Sequence, residues 1–142
     1  MNSKLIAGID IHAPGFPRDD VDSQKLANAQ MSGHALAQFF LERMAERGYS
    51  DGELTAEDWG WHLSARDPGG EILVEVRFSS YGQIEHPDGF LVSVEPDRPT
   101  RRKMLVFKQD VRTEAERLSA LVYDILSQTN GIAIEEAQFN EF

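Results

Sequence analysis

Three stretches of the chain alternate apolar and polar residues with a period of two, and tight reversals join them. Trp59, Trp61, Leu63 and Ala65 alternate with Gly60, His62, Ser64 and Arg66. Ile72, Val74, Val76 and Phe78 alternate with Leu73, Glu75, Arg77 and Ser79, and Phe90, Val92 and Val94 are followed in the same way by Ser93 and Glu95 on the other face. Successive side chains of a strand point to opposite faces, so each segment offers one face to a core and one to solvent. Asp67-Pro68-Gly69-Gly70 and His86-Pro87-Asp88-Gly89 contain the residues that close reversals need. Strands joined in this way form an antiparallel meander, whose apolar face must be covered by something else.

Helical spacing supplies the cover. Leu36, Phe40 and Met44 recur four apart, as do Ala37, Leu41 and Ala45, so residues 23–47 are expected to form one long helix with a broad apolar stripe. Asp22 or Ser23 can cap its start, Ser32-Gly33 can mark a break, and Gly48 stands where a C-cap glycine belongs. A second helix is expected to open on Thr113 and Glu116, spaced as a capping box, and to bury Leu118, Leu121, Val122, Ile125 and Leu126 before Asn130-Gly131. At the N-terminus Leu5, Ala7, Ile9 and Ile11 predict a strand with Asp10 and His12 on its other face. Asp51-Gly52 reads as a turn, residues 103–108 as a fifth strand and residues 132–135 as a short last one, with an acidic tail that frays. The expectation is one α+β domain over residues 1–142, a two-layer sandwich of an antiparallel sheet of about five strands with two helices packed on one face.

Charge and composition narrow the functions open to such a domain. A formal charge of -10 repels phosphate backbones and anionic headgroups, which argues against nucleic acid and membrane surfaces; it would attract a basic protein or a cation, and it also serves solubility alone. The chain has no cysteine, which removes disulfides, thiolate zinc sites and Cys nucleophiles. The N-terminal apolar run is interrupted by Asp10 and is too short for a signal-peptide core, so a cytoplasmic location is expected. There is no glycine-rich phosphate loop, serine elbow, helical histidine pair or calcium loop, and no cofactor is called for. Self-association into a homodimer is left open by the sequence.

Two sets of residues carry chemistry worth following. The polar faces of the expected strands collect Asp10, His12, His62, Ser64, Arg66, Glu75, Arg77, Ser93 and Glu95. One reading is an acid/base or metal site, with Asp10 and His12 on one strand and His62 or Glu75 completing it. The other is a ladder of cross-strand pairs on a solvated sheet, each worth roughly 0.2–1 kcal/mol. The second set is Glu57-Asp58-Trp59-Gly60-Trp61-His62, which holds both tryptophans of the chain. The period points both indoles into the core; the alternative is an aromatic hot spot at the rim, flanked by Glu57 and Asp58 and joined by Tyr81.

The segment Glu57-Asp58-Trp59-Gly60-Trp61, entering a hairpin in a small acidic chain, resembles a group of uncharacterised bacterial proteins of the size and build also seen among immunity proteins of contact-dependent toxin systems. The resemblance spans the layout from Leu36 to Ile134 but the sequence only of the acidic-aromatic motif, and it brings no catalytic residues. It implies a non-enzymatic interaction domain that neutralises a basic protein through an acidic surface. A small-molecule or metal-dependent enzyme using His12 and His62 is the alternative.

Overall fold

The computed structural model describes residues 4–27, 31–80, 88–96 and 108–141. Strand β1 spans Lys4–His12, followed by helix α1 over Asp20–Lys25 and helix α2 over His34–Glu46. Strands β2 (Ser50–Glu57), β3 (Gly60–Arg66), β4 (Leu73–Ser80) and β5 (Gly89–Pro96) come next, then helix α3 (Lys108–Gln128) and strand β6 (Ala133–Glu141). The strands form one sheet in the order β2-β3-β4-β5-β1-β6, every neighbouring pair antiparallel. The fold is an α+β two-layer sandwich. Among the described residues no helix is long and apolar enough to cross a membrane.

Period-two alternation decides which face is covered. Trp61, Leu63 and Ala65 of β3, Val74, Val76 and Phe78 of β4, and Phe90, Val92 and Val94 of β5 are all buried. They meet Leu36, Phe40 and Met44 of α2 and Leu118, Val122 and Leu126 of α3 in one apolar cluster. Phe40 and Phe78 pack edge to face at 5.1 Å across the two layers.

Several elements differ from expectation, each for a local reason. The long helix is two: α1 ends at Lys25, and α2 restarts only after Gly33, whose φ of 131° no residue with a side chain adopts comfortably. Strand β1 carries a bulge between Ile6 and Gly8, so Ile6, expected opposite Ile9, is buried with it. The Ile6 N–H donates to the buried Ser119 hydroxyl of α3 at 3.1 Å. Asp51-Gly52 is not a turn but a bulge within β2, with Asp51 at φ 53°, which short polar side chains tolerate.

Helix α3 starts at Lys108, so Thr113 and Glu116 lie inside it rather than forming its cap. The tail does not fray: β6 runs from Ala133 to Glu141 and pairs with β1 along its length. The expected strand over residues 103–107 lies outside the described residues, as does Tyr81, while Lys108 belongs to α3.

Trp59 is the largest departure among the candidate residues. Asp58 and Trp59 form the two-residue turn between β2 and β3, so only Trp61 enters the core. The turn exists because residue 60 is glycine. Its φ is 145°, and a Cβ there would collide with the Phe78 carbonyl oxygen.

Gly70, by contrast, has φ 75° and open space within 4 Å of where a Cβ would stand. Gly60→Ala is therefore expected to cost about 3 kcal/mol or more, and Gly70→Ala only about 1–2 kcal/mol from conformation alone. Chemical denaturation of the two variants separates steric collision from backbone strain; equal losses would contradict the close approach at Gly60.

Candidate functional site

The polar face of the sheet divides into two groups. On β3 and β4, His62 stands opposite Arg77 in register, and its Nε2 lies 2.8 Å from Glu75 Oε1 with both side chains half-buried. The Arg77 guanidinium lies 5.8 Å from the centre of the Trp59 ring, so the turn tryptophan folds back onto this face as a cation–π partner. On β1 and β6, His12 Nε2 reaches Glu135 Oε1 at 3.1 Å, with Asp10 two residues away on the same face.

These groups do not converge. Strands β4 and β5 separate β3 from β1, which at the usual spacing of about 4.8 Å sets His62 and His12 roughly 14 Å apart laterally. Register adds a further offset along the strands, since Arg77 pairs with Ser93 and His12 with Gly89. Among the described residues no three His, Asp or Glu side chains come together as metal ligands would. His12 and His62 make cross-strand contacts, each with its own glutamate.

The acidic hairpin is different in kind. Among the described residues strand β2 is an edge of the sheet, and Glu53, Glu57 and Asp58 are exposed along it and its turn. Asp51 is engaged by Arg66 Nε at 3.1 Å. The side chains of Glu53, Glu57 and Asp58 have no hydrogen bond or ion pair among the described residues. Glu57 and Asp58 thus stand beside the half-buried Trp59, with Glu53 further along β2, and among the described residues no base pairs with any of the three. At the start of β2, on the helix-covered face, α2 and the bulge of β2 border a cleft of about 190 Å³ lined by Leu41, Met44, Ala45, Tyr49, Leu63 and Ala65. That is below the roughly 300 Å³ at which small-molecule pockets begin.

What positions this end of the sheet is a buried clasp that the periodicity arguments miss. Asp19 is the N-cap of α1, and Asp19 and Asp22 bond each other's backbone N–H at 2.9 and 3.1 Å. Asp22 is fully buried, and its Oδ1 also accepts the Trp61 indole N–H at 2.7 Å and the His34 backbone N–H at 3.0 Å. His34 Nδ1 lies 2.7 Å from Asp19 Oδ2, and its ring leans on Trp61 at 5.1 Å. The clasp therefore ties α1, the start of α2 and β3 at one point. The only trace of it in the chain is the Asp-x-x-Asp spacing, which reads as a cap and gives no hint of Trp61. Further along, the buried Tyr49 hydroxyl donates to Glu114 of α3 at 3.2 Å, so the root of β2 is anchored to the second long helix.

Burial acts to raise the Asp19 carboxyl, but the hydrogen bonds from the Asp22 backbone and from His34 outweigh it and hold the group below the usual carboxylate range. A carboxyl more acidic in the folded than in the unfolded chain stabilises fully above its unfolded value of about 3.9, and that stability fades as pH falls through the folded value. Asp19→Asn should lose about 0.5–1 kcal/mol at pH 7 and decline less steeply than the parent below about pH 4. Parallel acid limbs in urea midpoints against pH would remove Asp19 from this role. The two tryptophans give a second check: with Trp59→Phe the remaining Trp61 should emit blue-shifted and resist iodide, and with Trp61→Phe the remaining Trp59 should be quenched.

Comparison with protein-family models, with curated proteins and with solved structures found no match in any of the three.

Proposed function

We propose that this chain is a non-enzymatic cytoplasmic interaction domain that binds a basic partner protein through the acidic β2–β3 hairpin, in the manner of an immunity protein. The observation that carries the reading is the set of exposed carboxylates Glu53, Glu57 and Asp58, unpaired among the described residues, along β2 and the turn that holds the half-buried Trp59. Exposed acids on a protein of charge -10 raise the local concentration of a cationic surface and accelerate its docking. Trp59 adds a large amphipathic side chain where the charges gather, the kind of residue around which binding energy concentrates. Trp61, buried in the core and held by Asp22, supports the hairpin rather than contacting a partner.

The polar sheet face fits this reading as a solvated ladder. His62–Glu75 and His12–Glu135 are cross-strand pairs of the sort that contribute roughly 0.2–1 kcal/mol each. No observation favours the alternative of an enzyme that uses His12 and His62 together.

A pull-down from the source cell at low ionic strength, comparing the parent with the Glu53→Gln, Glu57→Gln, Asp58→Asn triple variant, tests the reading. A basic protein should be retained by the parent, released as salt rises, and its association with the triple variant should be at least about tenfold slower. Retention of the same protein by both, or no retention of a basic protein at low salt, would sink the charge-based reading.

A further inference from the structure

Among the described residues strand β2 is an edge of the sheet, with a regular run between two irregularities. Its bulge at Asp51-Gly52 lies on one side, the turn at Asp58-Trp59 on the other, and between them Glu53 to Glu57 pair without interruption with Ser64 to Gly60. The Ser80 N–H bonds the Trp59 carbonyl at 2.8 Å, which makes Gly60 and Ser79 a non-hydrogen-bonded pair. The backbone of Gly60 therefore faces β2 and bonds Glu57. By alternation Thr55 and Glu53 also bond β3, while the N–H and C=O of Leu54 and Ala56 point away from the sheet along its open edge.

Open edges of this kind pair with whatever extended chain fits them. A second copy of β2 fits badly. Laid antiparallel across Thr55, it would set Glu53 against Glu57 of the other copy twice over, like charges directly opposite each other. A strand bearing Lys or Arg at those positions would meet the same carboxylates with opposite sign. The intervening side chains of such a strand would lie on the helix-bearing side, beside the half-buried Leu54 and Ala56 and near the apolar cleft that Leu41, Met44 and Ala45 of α2 border. The other edge, β6, is less suited, because a register shift interrupts its pairing with β1 near Glu135 and His12 engages that glutamate.

We infer that β2 is a strand-addition site, and that the partner enters as an extended segment alternating basic and apolar side chains, bonded to the backbone of Leu54 and Ala56 with its basic residues against Glu53 and Glu57. This rests on the acidic-hairpin reading above and names its mode. The charges steer the segment, and the main-chain bonds hold it.

The test separates the two. The probe is a synthetic alternating Lys-Val peptide of about nine residues, together with the same peptide N-methylated on the valines and again on the lysines, so that one analogue removes the inward amides and both keep the charge. Binding is measured by titration at low salt to the parent, to Ala56→Pro and to the acidic triple variant. Proline at residue 56 removes an outward N–H, adds bulk to the edge and leaves every carboxylate in place. The expected result is that one N-methylated analogue binds the parent at least about tenfold more weakly than the plain peptide, and that Ala56→Pro weakens the plain peptide to a similar degree.

Equal binding of all three peptides to the parent would overturn strand addition while leaving charge-driven binding intact. So would failure of the plain peptide to bind a parent that retains a basic protein. Loss of all binding, with no basic protein retained, would remove both readings. If Ala56→Pro does not fold, the peptide analogues decide the matter on the unaltered protein, and slowed hydrogen exchange at the Leu54 and Ala56 amides on peptide addition is the direct signature.

Discussion

A carboxylate taken out of water must find donors inside the protein, and Asp22 finds three. The indole N–H of Trp61, the backbone N–H of His34 and that of Asp19 converge on its two oxygens in a setting with no exposure. Withdrawing one donor from such a group costs several times what an ordinary hydrogen bond contributes, because the desolvated charge remains. The three donors belong to three elements, so α1, α2 and β3 can each occupy their places only together. The orientation of Trp61 follows, and with it the phase of β3 and of the hairpin that β3 closes. Asp19 and His34 extend the same clasp toward the surface.

The rest of the sheet obeys a simpler constraint. Apolar side chains on one face of β3, β4 and β5 are covered by α2 and α3, and the other face is left to polar pairs across the strands. A sheet of this type has two edges, and the chain treats them differently. It closes β6 onto β1, with His12 and Glu135 in contact, and it lines β2 and its turn with acids that nothing internal neutralises among the described residues. Like charges along an edge discourage pairing with a copy of itself and favour a partner of opposite sign. That difference, more than any catalytic arrangement of histidines, separates this surface from an ordinary solvated face.

Much of the fold is legible in the chain because burial writes itself into period. The inward faces of β3, β4 and β5 and the stripe of α2 can be read residue by residue, and so can the α+β class. What period does not reveal is any place where one residue is added to a strand. The bulges at Ala7 and Asp51 shift phase without changing composition, so alternation puts Ile6 on the wrong face and makes Asp51-Gly52 look like a turn. Trp59 is misplaced by alternation for a related reason: a two-residue turn ending at a glycine looks like the start of the strand that follows. The candidate site is legible in part. Glu57, Asp58 and Trp59 stand out by composition, while the isolation of their charges depends on what lies nearby in space.

By itself the sequence determined the two-faced strands, the amphipathic helices, the acidic balance and the absence of thiol chemistry, since each is a property of local spacing or of side chains counted along the chain. Only the tertiary structure decided that His12 and His62 stay apart, that Asp22 holds Trp61 across 39 positions, and that β2 rather than β3 is an edge. Those outcomes depend on strand order and on long-range hydrogen bonds. Neither leaves a periodic trace, because the residues involved become neighbours only when the sheet has closed around its core.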